Sequence, residues 1–170
     1  MGLDMYLNVK KYVNQNDGWG ADAVRRPEYD AVVKAAGLDK FTNDESVSIY
    51  GATVSVTAAY WRKANHIHKW FVDNIQDGVD NCQESYVDLE SLQELVNACN
   101  TVLENKGNTT LAEELLPVHQ GFFFGAYKYY GDMYYGDIEY TRDRLTEIVK
   151  MVEDARKNDE WFDVTYQASW

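Results

Sequence analysis

The chain of 170 residues carries 28 acidic against 16 basic side chains, a formal net charge of −12, with 45% hydrophobic and 14% aromatic residues. That length suits one domain with a real core, and so many aromatics exclude a disordered chain. The acidity opposes an electrostatic hold on nucleic acid or an anionic membrane, because phosphate binding draws on clustered Lys and Arg.

In chain order, Leu3 to Val9 alternates apolar and polar residues and predicts a half-buried strand. Asn14 to Gly20 is turn chemistry and predicts a loop. Pro27 to Ala36 predicts a short helix, with Pro early and Gly37 just past its end. Ser46 to Thr57 is rich in Val, Ile, Tyr and Thr, is interrupted by Gly51, and predicts a strand or a bent strand pair. From Tyr60, the residues Ala64, Ile67, Phe71 and Ile75 form one helical stripe that ends near Gln76-Asp77-Gly78.

A second helix is predicted over Leu89 to Glu104, with Asp88 as N-cap, Leu89, Leu92, Val96, Cys99 and Leu103 buried, and Lys106-Gly107 closing it. Leu111 to Leu116 predicts a helical turn stopped by Pro117. Gly121 to Tyr140 holds nine aromatics in twenty residues. A third helix is predicted over Asp137 to Lys157, and Trp161 to Tyr166 alternates like a final strand. Strands at both ends with helices between them predict a single α+β domain over 1–170. Its small sheet includes the N- and C-terminal strands and packs with about three main helices.

The opening MGLDMYLNVKKYV lacks the cationic and apolar regions of a signal peptide. The longest apolar run, near Val54 to Trp61, is too short to span a bilayer. Cys82 and Cys99 match no zinc or CxxC spacing, which predicts reduced thiols and a cytoplasmic protein. Charge is uneven: residues 1–77 hold 10 acids and 9 bases, whereas residues 78–170 hold 18 acids and 7 bases. Such asymmetry suits either a face with a dedicated partner or plain solubility.

The cationic helix is the first candidate site. Arg62, His66, Lys69 and Asp73 fall opposite its apolar stripe, while Trp61, Asn65 and His68 lie along the flank. A cleft there offers an indole to stack on, an amide and an imidazole to direct hydrogen bonds, and Arg62 or Lys69 to hold an anion. The competing expectation is edge residues that finish the core. His66 and His68 point about 200° apart on a helix, so no metal site is expected of them. Asp73, Asp77, Gly78 and Glu84 echo a calcium loop, but Ile75 stands where an oxygen ligand belongs, and an ordinary turn is expected.

The aromatic segment is the second candidate, with Phe123, Tyr130 and Tyr134 as partner-binding residues. Its rings are interleaved with acids rather than Lys or Arg, which fits a protein surface better than single-stranded nucleic acid. Core packing is the alternative. GxxxxGK-S/T, GxGxxG, GxSxG and HExxH motifs are all absent.

Several of these segments carry a resemblance. Met1 to Leu7 (MGLDMYL), YWRKAN at 60–65 with IHKWFV at 67–72, the Gln76-Asp77-Gly78 turn, Leu115-Leu116-Pro117, GFFFG at 121–125 and the ending YQASW at 166–170 resemble a family of small proteins encoded by bacteriophages and bacterial genomes. The likeness covers most of the chain and departs most over 14–55. It implies a phage-type setting and no established activity. The phosphoglycerate-kinase label sometimes attached to members does not suit 170 residues without a phosphate loop.

Two functions are therefore expected in competition. The first is a non-enzymatic accessory protein that binds a host or defence protein through its acidic, aromatic second half, as an inhibitor or nucleic-acid mimic, with no cofactor. The second is a small enzyme or ligand-binding protein with its site beside Trp61, Asn65 and His68. That site would take a small anion or nucleotide, with His68 as candidate acid or base.

Overall fold

The computed structural model describes residues 2–18, 22–42, 51–122, 124–125 and 130–170. Strand β1 (Asp4–Asn14) follows the predicted alternation: Leu3, Met5, Leu7 and Val9 are buried, and the residues between them are half-buried. After the short strands β2 (Asn16–Asp17) and β3 (Val24–Arg25) come helix α1 (Pro27–Ala35), a 3-10 turn over Asp39–Phe41, and strand β4 (Gly51–Arg62). Helix α2 (Asn65–Asn74), strand β5 (Ser85–Tyr86), helices α3 (Leu89–Glu104), α4 (Thr109–Leu115) and α5 (Asp132–Arg156), and strand β6 (Asp163–Ser169) complete the order.

The fold is α+β. A four-stranded antiparallel sheet runs in the order β4-β1-β6-β5, so the N- and C-terminal strands are its central neighbours. Between β5 and β6, Ser85 faces Tyr166 and Tyr86 faces Thr165. Contacts gather into two compact units, Met1–Val9 with Thr57–Trp170, and Lys10–Val56; β1 and β4 contribute residues to each.

In the larger unit, α3 and α5 pack on each other. Helix α3 has the predicted bounds because Asp88 accepts a 2.7 Å bond from the Ser91 amide, satisfying an orphan donor of the first turn. Its buried face is Leu92, Leu95, Val96, Cys99 and Val102. Burial pushes the Cys99 thiol up to about 12, which leaves it an inert core group. Helix α5 starts earlier than predicted, at Asp132, and buries Tyr134, Ile138, Thr141, Leu145, Ile148, Val149, Val152 and Ala155. Of these, Tyr134, Ile138, Leu145, Ile148, Val149 and Val152 share one core with the inner face of β1.

The predicted helix from Tyr60 needs correction. Residues 59–62 continue β4, with Ala59 and Trp61 buried and Tyr60 and Arg62 exposed, a period of two. Lys63 then takes a left-handed φ of 63°, its amide donates to the Leu3 carbonyl at 2.8 Å, and the helix begins only at Asn65. Tyr60 fits a helical stripe by spacing alone, but strand pairing carries the chain past it. Of the predicted strand over 46–57, residues 46–50 lie outside the described residues.

In the smaller unit, β2 and β3 pair antiparallel inside what was expected to be loop and its continuation. Helix α1 closes as predicted at Gly37, whose φ is 70°, while the Leu38 amide reaches back to the Val33 carbonyl at 2.8 Å. No helix of the described residues is long and apolar enough to cross a membrane.

Candidate functional site

The residues that organise the larger unit's polar interior meet at α2. Asn65, the first residue of the helix, is fully buried, and both ends of its amide grip the loop 119–124. Its Oδ1 accepts from the His119 amide at 3.1 Å and its Nδ2 donates to the Phe124 carbonyl at 3.3 Å. A buried carboxamide left without partners is costly, so this double bond holds the loop as well as satisfying Asn65.

Glycines shape the same loop. Gly121 and Gly125 form an antiparallel bridge, and the Phe124 amide donates to the Gly121 carbonyl at 3.1 Å. A Cβ on Gly121 would lie 2.6 Å from the Phe124 ring, so only glycine admits that ring in its place. The ring of Phe124 turns inward onto His68, His119 and Trp170, with centroids 5.1, 5.7 and 5.9 Å away. Phe122 turns outward and is 95% exposed. Phe123, the candidate named from the sequence, lies outside the described residues.

Beneath Phe124 lies a hydrogen-bonded chain. His68 Nδ1 is 2.8 Å from the Tyr166 hydroxyl and Nε2 is 3.0 Å from Asp80 Oδ2. The other Asp80 oxygen accepts from the Trp170 indole at 3.0 Å. Because a carboxylate only accepts, Nε2 carries the imidazole proton and Nδ1 accepts from Tyr166. That arrangement suits a neutral ring. Burial lowers the His68 pKa below the ordinary histidine value, against the opposing pull of Asp80. Tyr166 is likewise held protonated by burial, its pKa raised well above 10.0.

His68 is therefore sealed, its side chain 1% exposed, and bonded to side chains on two other segments rather than open to a cleft. This geometry makes it a structural node, tying α2 to the 80s loop, β6 and the C-terminal Trp170. Its neighbour His66, expected opposite the apolar stripe, is also fully buried, its ring 4.4 Å from that of Tyr134; burial lowers its pKa to about 3.

The remaining candidates disperse. Trp61 sits on β4, not on the helix flank, is 2% exposed, and donates its indole proton to Thr141 Oγ1 at 2.8 Å. Arg62 is exposed and lies 3.9 Å from Asp4, while Lys69 bonds Asp73 at 2.6 Å one turn along α2. Each cation expected to hold an anion thus has a carboxylate beside it, Asp4 being shared with the Tyr60 hydroxyl. Tyr134 is fully buried and donates to the Leu116 carbonyl at 2.8 Å. Tyr130 is half-buried, edge-on to Tyr134 at 4.8 Å.

The structure thus joins Asn65 and His68 through Phe124 and leaves Trp61, Arg62 and Lys69 elsewhere. Sequence reasoning missed Phe122, Asp80, Tyr166 and Trp170. The GFFFG pattern signals a ring-bearing turn without showing which ring faces out. No protein-family model, curated protein or solved structure is significantly similar to the chain.

Proposed function

We propose that the protein acts by binding another protein, with the loop 119–125 as its contact element and Phe122 as the anchor. One observation carries this reading: a phenylalanine 95% exposed between His119 and Phe124, whose backbone groups are both bonded by buried Asn65. An exposed apolar residue is ordinary, but one flanked by backbone anchored at His119 and Phe124 is better prepared for contact. Burying such a ring contributes about 1.5–3 kcal/mol, and backbone already anchored at His119 and Phe124 loses less entropy on docking.

The acidic second half suits a partner with a basic surface around that anchor. Nucleic-acid mimicry has less support than an apolar anchor, because four of the seven acids along α5 are engaged by neighbouring cations. Glu139 bonds Lys106 at 2.6 Å, and Arg142, Arg144 and Lys157 hold Asp143, Glu147 and Asp154 respectively, each pair at 2.7 Å. An array of phosphate substitutes needs carboxylates unengaged by their neighbours. The phage-type setting implied by the resemblance makes a host or defence protein the partner to seek.

The test is affinity purification from bacterial lysate with wild-type protein and Phe122→Ala as parallel baits. A protein retained by the first and lost by the second supports the reading. Retention of the same protein by both contradicts it.

A further inference from the structure

Strand β4 ends the four-stranded sheet, with β1 as its one neighbouring strand among the described residues. Natural edge strands are usually short or carry Lys, Pro or inward-facing charge, which stops another chain from adding to their free N–H and C=O groups. β4 uses none of these devices. It is 12 residues long, and the run from Gly51 to Trp61 holds no charge and no proline. Helix α5 serves only the later part of the strand. Arg144 Nη2 donates to the Ala58 carbonyl at 2.7 Å, and the Tyr60 amide donates to the Tyr140 hydroxyl at 3.3 Å. Over Thr53 to Thr57 every residue is exposed, and no such cap is found among the described residues.

The same run reads identically in both directions. Ala52-Thr53-Val54-Ser55-Val56-Thr57-Ala58 is a palindrome centred on Ser55. Two copies paired antiparallel about a two-fold axis at Ser55 therefore set Val54 against Val56, Thr53 against Thr57, and Ser55 against itself. Valine pairs then lie on one face and hydroxyl pairs on the other, and no charge meets its own kind. A palindrome adds nothing to the capture of an unrelated strand, so it argues for a second copy as the occupant.

We propose that the protein self-associates by adding β4 to β4 of a second copy, antiparallel and in register about Ser55. The contact is small, at the weak end of specific interfaces, and a Kd on the order of 100 μM is expected. Each copy carries a net charge of −12 while the paired run is uncharged, so repulsion opposes association and added salt strengthens it. This surface shares no residue with the loop bearing Phe122 and stands independently of it.

The test is sedimentation equilibrium of the full chain from about 10 μM to about 1 mM. A reversible monomer–dimer equilibrium is expected, tightening several-fold as salt rises from about 0.05 to about 0.5 M. Ser55→Lys opposes two like charges at the axis and should weaken it by about 10-fold or more, with an unchanged circular dichroism spectrum. Phe122→Ala should dimerise as wild type does. Disulfide cross-linking in a Cys82→Ser background reads the register, because opposed antiparallel positions lie within disulfide reach. Ser55→Cys should cross-link to itself; Thr53→Cys should not, yet should cross-link to Thr57→Cys when the two are mixed. A monomer at every concentration, the outcome if the edge takes another protein's strand instead, would overturn the proposal. So would dimerisation untouched by Ser55→Lys, or self-cross-linking of Thr53→Cys as fast as that of Ser55→Cys.

Discussion

His68 and Asp80 are joined by a 3.0 Å bond from imidazole Nε2 to the carboxylate, and the free oxygen of that carboxylate receives the Trp170 indole at 3.0 Å. With Tyr166 donating to Nδ1, a single buried imidazole connects α2, the turn at Asp80 and the C-terminal segment of β6 and Trp170. Burial favours the neutral ring, and both its nitrogens are engaged, which converts a candidate acid–base group into a clasp.

Removing one partner leaves the other buried and unsatisfied. Tyr166→Phe strands the Nδ1 lone pair while the apolar stacking of this ring on Phe71, at 3.9 Å, persists. The expected loss is about 1–3 kcal/mol of unfolding free energy by urea titration at pH 7.5. A change within a few tenths would show that the bond contributes nothing net.

Acid should weaken the fold through the buried histidines. His66 has a folded pKa of about 3 against 6.5 unfolded, so between those values the unfolded chain binds more protons and stability falls as pH falls. Its contribution is fully present above pH 6.5 and declines toward pH 3. Between pH 7.5 and 4.5 the loss is on the order of 2 kcal/mol. His66→Phe should flatten the slope of stability against pH by about that amount; an unchanged slope would assign the acid sensitivity to carboxylates alone.

Asn65 ties the loop to the helix, so Asn65→Ala should release it. Amide exchange at His119 is expected to quicken markedly, since its proton is now held by Asn65 Oδ1 at 3.1 Å, and stability should drop by about 1–3 kcal/mol. Asn65→Asp keeps that acceptor but loses the donor to Phe124, so His119 should stay protected while the loop loosens at 124. Equal exchange in all three proteins would mean the clamp lies elsewhere.

Local signals were legible where a cap and a period agreed. Asp88 and the apolar spacing behind it mark α3 to the residue. Pro27 and Gly37 frame α1 in the same way. The α2 start was obscured because Tyr60 satisfies a helical stripe as well as a strand, and only pairing within the sheet decides between them. The early turns of α5 hide in the aromatic tract, where Gly131 caps without a side chain. Of the site, Asn65 and His68 stood out as polar residues beside an apolar stripe. Their partners did not: Tyr166 is 98 positions from His68 and Trp170 is 90 from Asp80, pairings that only the folded sheet creates.

The central claim is that Phe122 anchors a protein partner, and the most direct measurement is the affinity of the captured partner for wild type and for Phe122→Ala. Because the ring is exposed, the substitution should leave stability within about 0.5 kcal/mol. Affinity should nevertheless fall by roughly 30-fold or more, the loss of an interface anchor. Equal affinity of the two proteins, each folded, would contradict the account.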